Sequence, residues 1–481
     1  MPVRERPAPP HPAPGLRLRT LLTTERARPD AVREHRWAWR LAVGTVCFGA
    51  FMGQLDASIV TLTYQPLRTE FHSTPAGVEW VSLSYLLTLV AFLVPVGRIS
   101  DVRGRKLMYL YGFAVFTAAS AACGLAPGLA ALVAFRVVQA VGAAMMQANS
   151  VALVTTSAPP GRMRSALGIQ AAGQAIGLAL GPTVGGALVS TLGWRWVFGV
   201  NVPIGIIALV AGHYLLPRTR QCATGSRIDG PGVLLLGGST TAALLALSVA
   251  SGLGPPAWTA LLPAAVAVAA GWAFLRRQRR CANPLVDLAL LRTGRLGPGL
   301  LAGLCGYLVL FGPLVLVPVE LARRGGGALT TGLVLTALPL GFALAATTAD
   351  RLLPGAWSDQ LRSRVGAAGC VVALTLLTVL PPTAALLPLS LALLGLALGV
   401  FVPANNTLVM RAIPTTSAGT GGGMVNMTRG LGTAIGVAAV TLALHLGGGG
   451  TGARLAALTL LAFAVLALAT TLPRRSRAAQ V

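Results

Sequence analysis

Gly97-Arg98-Ile99-Ser100-Asp101-Val102-Arg103-Gly104-Arg105-Lys106 decides how this chain is read. Four cations, one carboxylate and two glycines stand between two long apolar runs, 78–96 and 107–126. Lys and Arg gathered in a short loop between hydrophobic spans mark the cytoplasmic face of a membrane. The stretch is therefore predicted to be a tight, charged cytoplasmic turn between two transmembrane helices.

The rest of the chain fits that placement. Of its 481 residues, 54% are hydrophobic and 11% charged, with a mean hydropathy of +0.72. Soluble domains carry roughly 25% charged residues, so the class is an all-α integral membrane protein. Fourteen apolar spans are predicted, near 41–63, 78–97, 107–126, 129–154, 166–190, 196–216, 231–251, 257–275, 297–320, 329–348, 365–381, 384–410, 420–446 and 455–472. They must be helical, because lipid offers no partner to an open backbone. Of the 38 cations, 31 fall in the tails and in loops after even-numbered spans, five in loops after odd-numbered spans, and two, Arg136 and Arg429, inside spans. This bias predicts both termini in the cytoplasm. It also accounts for the net charge of +25 without nucleic acid.

Residues 1–40, rich in Pro and Arg and lacking an apolar signal segment, are expected to be a disordered cytoplasmic tail, and 473–481 a second cytoplasmic tail. Cys47, Cys123, Cys222, Cys281, Cys305 and Cys370 are scattered, and His213 and His445 share no ligand spacing, so neither a disulfide framework nor a metal site is indicated. No phosphate-binding loop or hydrolytic motif occurs, which argues against an ATP site or an enzyme.

A weak repeat divides the chain. Ala148-Asn149 matches Ala404-Asn405, Gly173-Gln174-Ala175-Ile176-Gly177 matches Gly432-Thr433-Ala434-Ile435-Gly436, and Asp101 has a counterpart in Asp350-Arg351. Two six-helix bundles, 41–216 and 297–472, with a two-helix insert and basic linker over 217–296, fit these offsets. Repeated halves are a transporter architecture.

Ionisable groups inside a membrane are costly and therefore functional candidates. Asp56 sits in the first span with no cation near it in sequence, as a proton-coupling carboxylate or as a structural one hydrogen-bonded between helices. Arg136, in the fourth span, either neutralises a carboxylate or snorkels to the interface. Glu79 and Glu320 are candidates for a substrate or proton site; an interfacial pair with Trp80 and a rim carboxylate beside Arg323 and Arg324 are the competing readings. In the fifth span, Gly173, Gly177, Gly181, Pro182, Gly185 and Gly186 line a helix face that lets another backbone approach, with a bend expected at the proline. Trp194, Arg195 and Trp196 read as anchors at the outer interface, and Asn201 and Pro203 as breaks in the apolar run.

Together these segments resemble the major facilitator superfamily, and within it the fourteen-helix drug:proton antiporter branch of the EmrB/QacA type. The resemblance covers nearly everything after Arg40. It rests on the 97–106 turn, Arg136–Gly142, Gly173–Gly186, Leu55-Asp56-Ala57-Ser58-Ile59-Val60 and Trp194–Gly205. Val102 departs from the pattern, where Arg is usual, as does Glu320, where Gln is common. The resemblance implies export driven by inward proton flow, with no cofactor, by a protein of the cell (inner) membrane, expected to be monomeric. It assigns proton coupling to Asp56 and Arg136. It assigns the cytoplasmic gate to Gly97, Asp101, Gly104 and Arg105, and packing between bundles to the glycine stripe. The expected substrates are small amphipathic molecules such as drugs or antibiotics. The alternatives are a dedicated exporter of one metabolite or self-made antibiotic, and a membrane sensor without transport.

Overall fold

Apolar runs about 20 residues long, interrupted by glycines and short polar links, can satisfy their backbone in lipid only as separate helices packed side by side. A computed structural model of the protein describes residues 25, 28–33, 35, 37–159, 161–219, 229–250, 257–281, 284–292, 296–325, 328–379, 386–447 and 449–472. The expected tails lie mostly or wholly outside these residues. Among the described residues, fourteen helical spans are long and apolar enough to cross a membrane: α1 Ala38–Glu70, α2 Gly77–Arg103, α3 Arg105–Gly124, α4 Leu129–Ser157, α5 Met163–Thr191, α6 Arg195–Leu215, α7 Gly230–Val249, α8 Trp258–Gln278, α9 Leu296–Arg323, α10 Thr330–Leu352, α11 Asp359–Val379, α12 Leu386–Arg411, α13 Thr415–Gly447 and α14 Thr451–Thr471. No strand occurs among the described residues.

Several spans outrun their apolar cores. α1 continues past 63 through a tightened turn at Val60–Thr63 into Tyr64–Glu70. Pro66 falls in the first turn of that last segment, where its missing N–H costs little. The helix that carries α2 starts before the apolar span, at Pro75, and is capped by Thr74, whose Oγ1 accepts the Gly77 N–H at 3.1 Å. At its other end it does not stop at 97. Gly97 through Arg103 is helical, and the expected ten-residue turn contracts to Gly104 alone. Gly104 has φ 107°, a conformation that L side chains resist, and α3 starts at the next residue. Gly97 serves close approach instead, since a Cβ there would stand 2.4 Å from the Gly419 carbonyl oxygen.

The packing repeats. α1 lies against α4, α5 and α6; α2 against α4; α3 against α4 and α6. Adding eight to each number reproduces the set: α9 against α12, α13 and α14; α10 against α12; α11 against α12 and α14. The two bundles meet where α2 and α4 cross α13, and where α10 and α12 cross α5. One apolar core gathers around Tyr109, Phe113 and Phe116 and takes in Met424 and Val425 of α13. The other surrounds Phe342 and Phe401 and takes in Ala171 and Ala175 of α5. Each core thus reaches across the seam.

The inserted α7 and α8 pack on one another, and α7 rests on α2 and α13. Asp229 ties the pair together. Its carboxylate accepts the Gly232 N–H at 3.1 Å, Arg277 at 2.7 Å and Gln278 at 3.0 Å. Burial pushes this carboxyl up, but the Arg277 guanidinium and the hydrogen bonds outweigh it and hold it below its ordinary value. Leu261, Leu262 and Val268 of α8 are exposed, as a lipid-facing helix requires.

Candidate functional site

Asp56 lies on α1, 0% exposed. The sequence places no cation near it, but the fold carries Arg136 to it from 80 positions away: Arg136 Nη1 donates to Asp56 Oδ2 at 2.6 Å. Gln139 Nε2 and Asn201 Nδ2 each donate to Asp56 Oδ1 at 3.0 Å. The guanidinium also donates to Gln139 Oε1 at 2.7 Å and to the Val81 carbonyl at 3.0 Å, and lies over the Tyr85 ring, 4.1 Å from its centroid. Gln139 completes the network by donating to Ser120 Oγ at 2.8 Å. A buried ion pair survives in lipid when further hydrogen bonds satisfy its charged atoms, as the Gln139 and Asn201 amides do for Asp56; removing one member costs about 3–5 kcal/mol. Gln139 and Asn201 are the donors that sequence reasoning left without a role. Their signal was an amide in an otherwise apolar span, which Asn201 shares with many helix breaks. Trp194, just before α6, and Arg195, its first residue, donate to Glu70 of α1 at 2.6 and 2.7 Å.

A cavity of about 1000 Å³ lies between the bundles, lined by α1, α5, α9, α10 and α13. Gln54, Ser58 and Thr61 of α1 face it. Asp56 is turned about 200° from Gln54 at 3.6 residues per turn, into its own bundle. One helix thus carries the cavity wall on one face and the ion pair on the other. Arg429 of α13 borders the cavity, as do Gln174, Tyr307 and Phe342.

The glycine stripe of α5 supports this wall. A Cβ at Gly177 would meet the Phe51 carbonyl oxygen at 2.5 Å, one at Gly181 would collide with Ser58, and one at Gly185 would meet Ile59 at 2.6 Å. Gly173 faces Cys47 at 3.5 Å, and Gly186 has nothing within 4 Å. The stripe therefore packs on α1 within its own bundle, not across the seam as expected. The adjacent face of α5, with Gln174, Leu178 and Pro182, lines the cavity. The α5 helix is continuous through Pro182. The repeat reproduces the arrangement in α13, where Gly432 and Gly436 stand over the Leu304 and Leu308 carbonyls of α9.

At the end of the cavity nearer the α2–α3 link, the bundles are latched. Asp101 Oδ1 accepts the Gly419 N–H at 2.7 Å, and Oδ2 accepts the N–H and hydroxyl of Thr420, each at 2.8 Å. The carboxylate thereby caps the first turn of the helix over Ala418–Gly447 in α13, where free N–H groups and the helix dipole attract an anion. Arg105 grips Asp101 at 2.9 Å and reaches the Thr415 carbonyl at 2.6 Å. The other bundle does the converse: Arg164, at the start of α5, pairs with Asp350 and Asp359, while Arg362 holds Asp350 at 3.3 Å and Arg411 holds Asp359 at 2.7 Å. Glycines close the seam behind these groups, with Gly423 against the Leu93 carbonyl and Gly168 against that of Ala346. The sequence signal for this crossing is the run Gly419-Thr420-Gly421-Gly422-Gly423, in which Gly419, Gly422 and Gly423 lie against backbone of the first bundle. Gly104 backs onto Glu25, whose carboxylate accepts the Lys106 N–H at 3.1 Å. The cavity lining extends instead to Thr61, Thr183, Ala322 and Thr331, at the opposite ends of their spans.

The other candidates stand apart. Glu320 pairs with Arg323 at 2.9 Å and Arg324 at 2.7 Å near the end of α9, as a rim carboxylate would. Glu79 is half-buried in the first turns of α2, near Tyr64. Neither is among the residues that hold Asp56.

Residues 46–437 match the family described as Major Facilitator Superfamily. The chain belongs to the major facilitator superfamily. It is therefore a multi-pass membrane transporter and not an enzyme, and its fourteen spans fit the superfamily's fourteen-helix branch. The tetracenomycin C resistance and export protein of Streptomyces glaucescens is 30% identical over 426 residues, covering 85% of this chain and 76% of that protein. The multidrug resistance protein Stp of Mycobacterium tuberculosis is 33% identical over 404 residues, covering 81% of this chain and 73% of that protein. Among solved structures, the human organic anion transporter MFSD10 superposes with a TM-score of 0.66 at 18% identity, over 90% of this chain and 99% of that one, a likeness of fold.

Proposed function

We propose that this major facilitator protein exports small amphipathic molecules, drugs or antibiotics among them, in exchange for protons. Asp56 is the proton carrier, Arg136 its partner, and Gly97, Asp101, Gly104 and Arg105 the cytoplasmic gate. The observation that carries the reading is the back-to-back arrangement on α1, with the fully buried Asp56–Arg136 pair on one face and the cavity wall on the other. Protonating Asp56 cancels its attraction for Arg136. The unpaired guanidinium must then seek other acceptors, which changes how α1 sits on α4. Because Gln54 and Ser58 move with α1, the cavity responds to the proton. In the latched arrangement the cavity faces the outer side, given the cation bias that puts both termini in the cytoplasm. The energy source is the proton gradient of the cell membrane, with no cofactor, and the working unit is a monomer. The rocking bodies are residues 41–216 and 297–472, with 217–296 riding on the seam.

Export and resistance in relatives of similar length support the exporter reading. The name of the tetracenomycin C relative also favours a second one, a dedicated exporter of a single compound. Proteoliposomes with an imposed pH gradient test the proposal: efflux of a panel of unrelated dyes and antibiotics should follow the gradient and stop with a protonophore. Efflux of a single member selects the dedicated exporter, and gradient-independent flux overturns the proton reading.

A further inference from the structure

Arg429 is the second cation inside the apolar spans, and it differs from Arg136 in one respect. Arg136 meets a carboxylate at 2.6 Å. Arg429, 6% exposed on α13, has among the described residues no carboxylate within 4 Å, and its hydrogen-bond acceptor is the Gln147 side-chain oxygen. An amide oxygen accepts a hydrogen bond but leaves the full positive charge uncompensated. Intramembrane cations almost always pair or face a water-filled space, since an isolated one is costly. Arg429 faces the cavity between the bundles, with Tyr307 nearby on the same lining. Its charge is thus displayed to whatever fills about 1000 Å³ of largely apolar space.

We propose that Arg429 is the recognition site for an anionic group, a carboxylate or an ionised phenol or enol, on an otherwise apolar substrate. The guanidinium offers a planar fork that matches such groups, and the low-polarity cavity strengthens the pairing. Gln147 fixes the fork. It accepts from Arg429 through its side chain, and its backbone carbonyl accepts from Asn426 of the same helix at 2.7 Å. Gln147 also packs against Gly53 of α1, where a Cβ would meet its amide nitrogen at 2.7 Å. An anion drawing on Arg429 therefore pulls on a side chain that touches the helix bearing Asp56. This deepens the export reading and rests on the cavity being the export site.

The test uses two dyes sharing a xanthene frame, anionic fluorescein and cationic rhodamine 123, and reads their binding to the purified full chain by fluorescence polarisation. The wild-type protein is expected to prefer fluorescein by tenfold or more. Arg429→Gln should weaken fluorescein by about ten- to a hundredfold, the equivalent of a lost charge-assisted hydrogen bond, while rhodamine 123 stays within about threefold. Arg429→Lys should keep most of the preference for the anion. Wild-type indifference to dye charge overturns the proposal, whether or not Arg429→Gln folds, and so does an equal effect of Arg429→Gln on both dyes. Binding is read without a gradient. A protein that binds fluorescein but does not move it under a pH gradient fails the antiport reading alone; one that moves both dyes equally fails this inference alone.

Discussion

Asp101 and Gly419, 318 positions apart, are joined by a hydrogen bond of 2.7 Å from the Gly419 N–H to the Asp101 carboxylate. The bond crosses from one bundle to the other. Because it falls at a helix start, it combines a charge-assisted hydrogen bond with the favourable end of the α13 dipole. Replacing Asp101 by Asn removes the charge at nearly constant shape. Turnover in proteoliposomes should fall about tenfold, with substrate affinity within about twofold, since the latch touches no cavity residue. Unchanged turnover would remove Asp101 from the gate.

The seam behind the latch depends on backbone contact. A Cβ at Gly97 would stand 2.4 Å from the Gly419 carbonyl oxygen. Gly97→Ala should disfavour the latched arrangement, so that cysteines placed near Asp101 are labelled faster by a water-soluble maleimide.

Within the first bundle the effect should be on stability. Gly177→Ala pushes a methyl to within 2.5 Å of the Phe51 carbonyl oxygen, whereas Gly186→Ala meets nothing within 4 Å. The first should lower thermal stability, by about 1–3 kcal/mol as overpacking does, and the second should leave it unchanged. Equal melting temperatures would contradict the packing of α5 on α1.

Asp229 gives a pH-dependent contrast. Its carboxyl is held below its ordinary value, so its stabilisation is present above the unfolded-state value of about 3.9 and is lost as pH falls through the folded-state value. Arg277 is 40% exposed, which screens the pair and keeps the effect small. Asp229→Asn should lower the melting temperature at pH 7, and the difference from wild type should close once the pH falls below the folded-state value of the Asp229 carboxyl. A difference that persists there would point to packing instead of charge.

Much of this fold was legible in the chain because lipid imposes a local rule: each apolar run must become a helix, and cations sort by side. Fourteen runs and a repeat of Gly173–Gly177 at Gly432–Gly436 therefore sufficed for the architecture. The site was less legible. Asp56 and Arg136 stood out as charges in apolar spans, but no local signal joined residues 80 positions apart, or drew Gln139 and Asn201 to them. Helix continuation through Gly97–Arg103 was hidden by charge, since a helix extending beyond lipid carries the same cations as a loop. The glycine stripe showed that a backbone approaches, but not whose: α1 and the second bundle present equally apolar surfaces, and only the three-dimensional crossing distinguishes them.

The central claim is that Asp56 carries the proton. Substrate flux through Asp56→Asn should be measured in two modes, driven by an imposed pH gradient and as exchange of labelled for unlabelled substrate without one. The expected result is loss of gradient-driven accumulation with exchange retained, because Asn can neither take up nor release the coupling proton, while the Gln54 and Ser58 side chains that line the cavity are still present. Wild-type gradient-driven accumulation in Asp56→Asn would contradict the account.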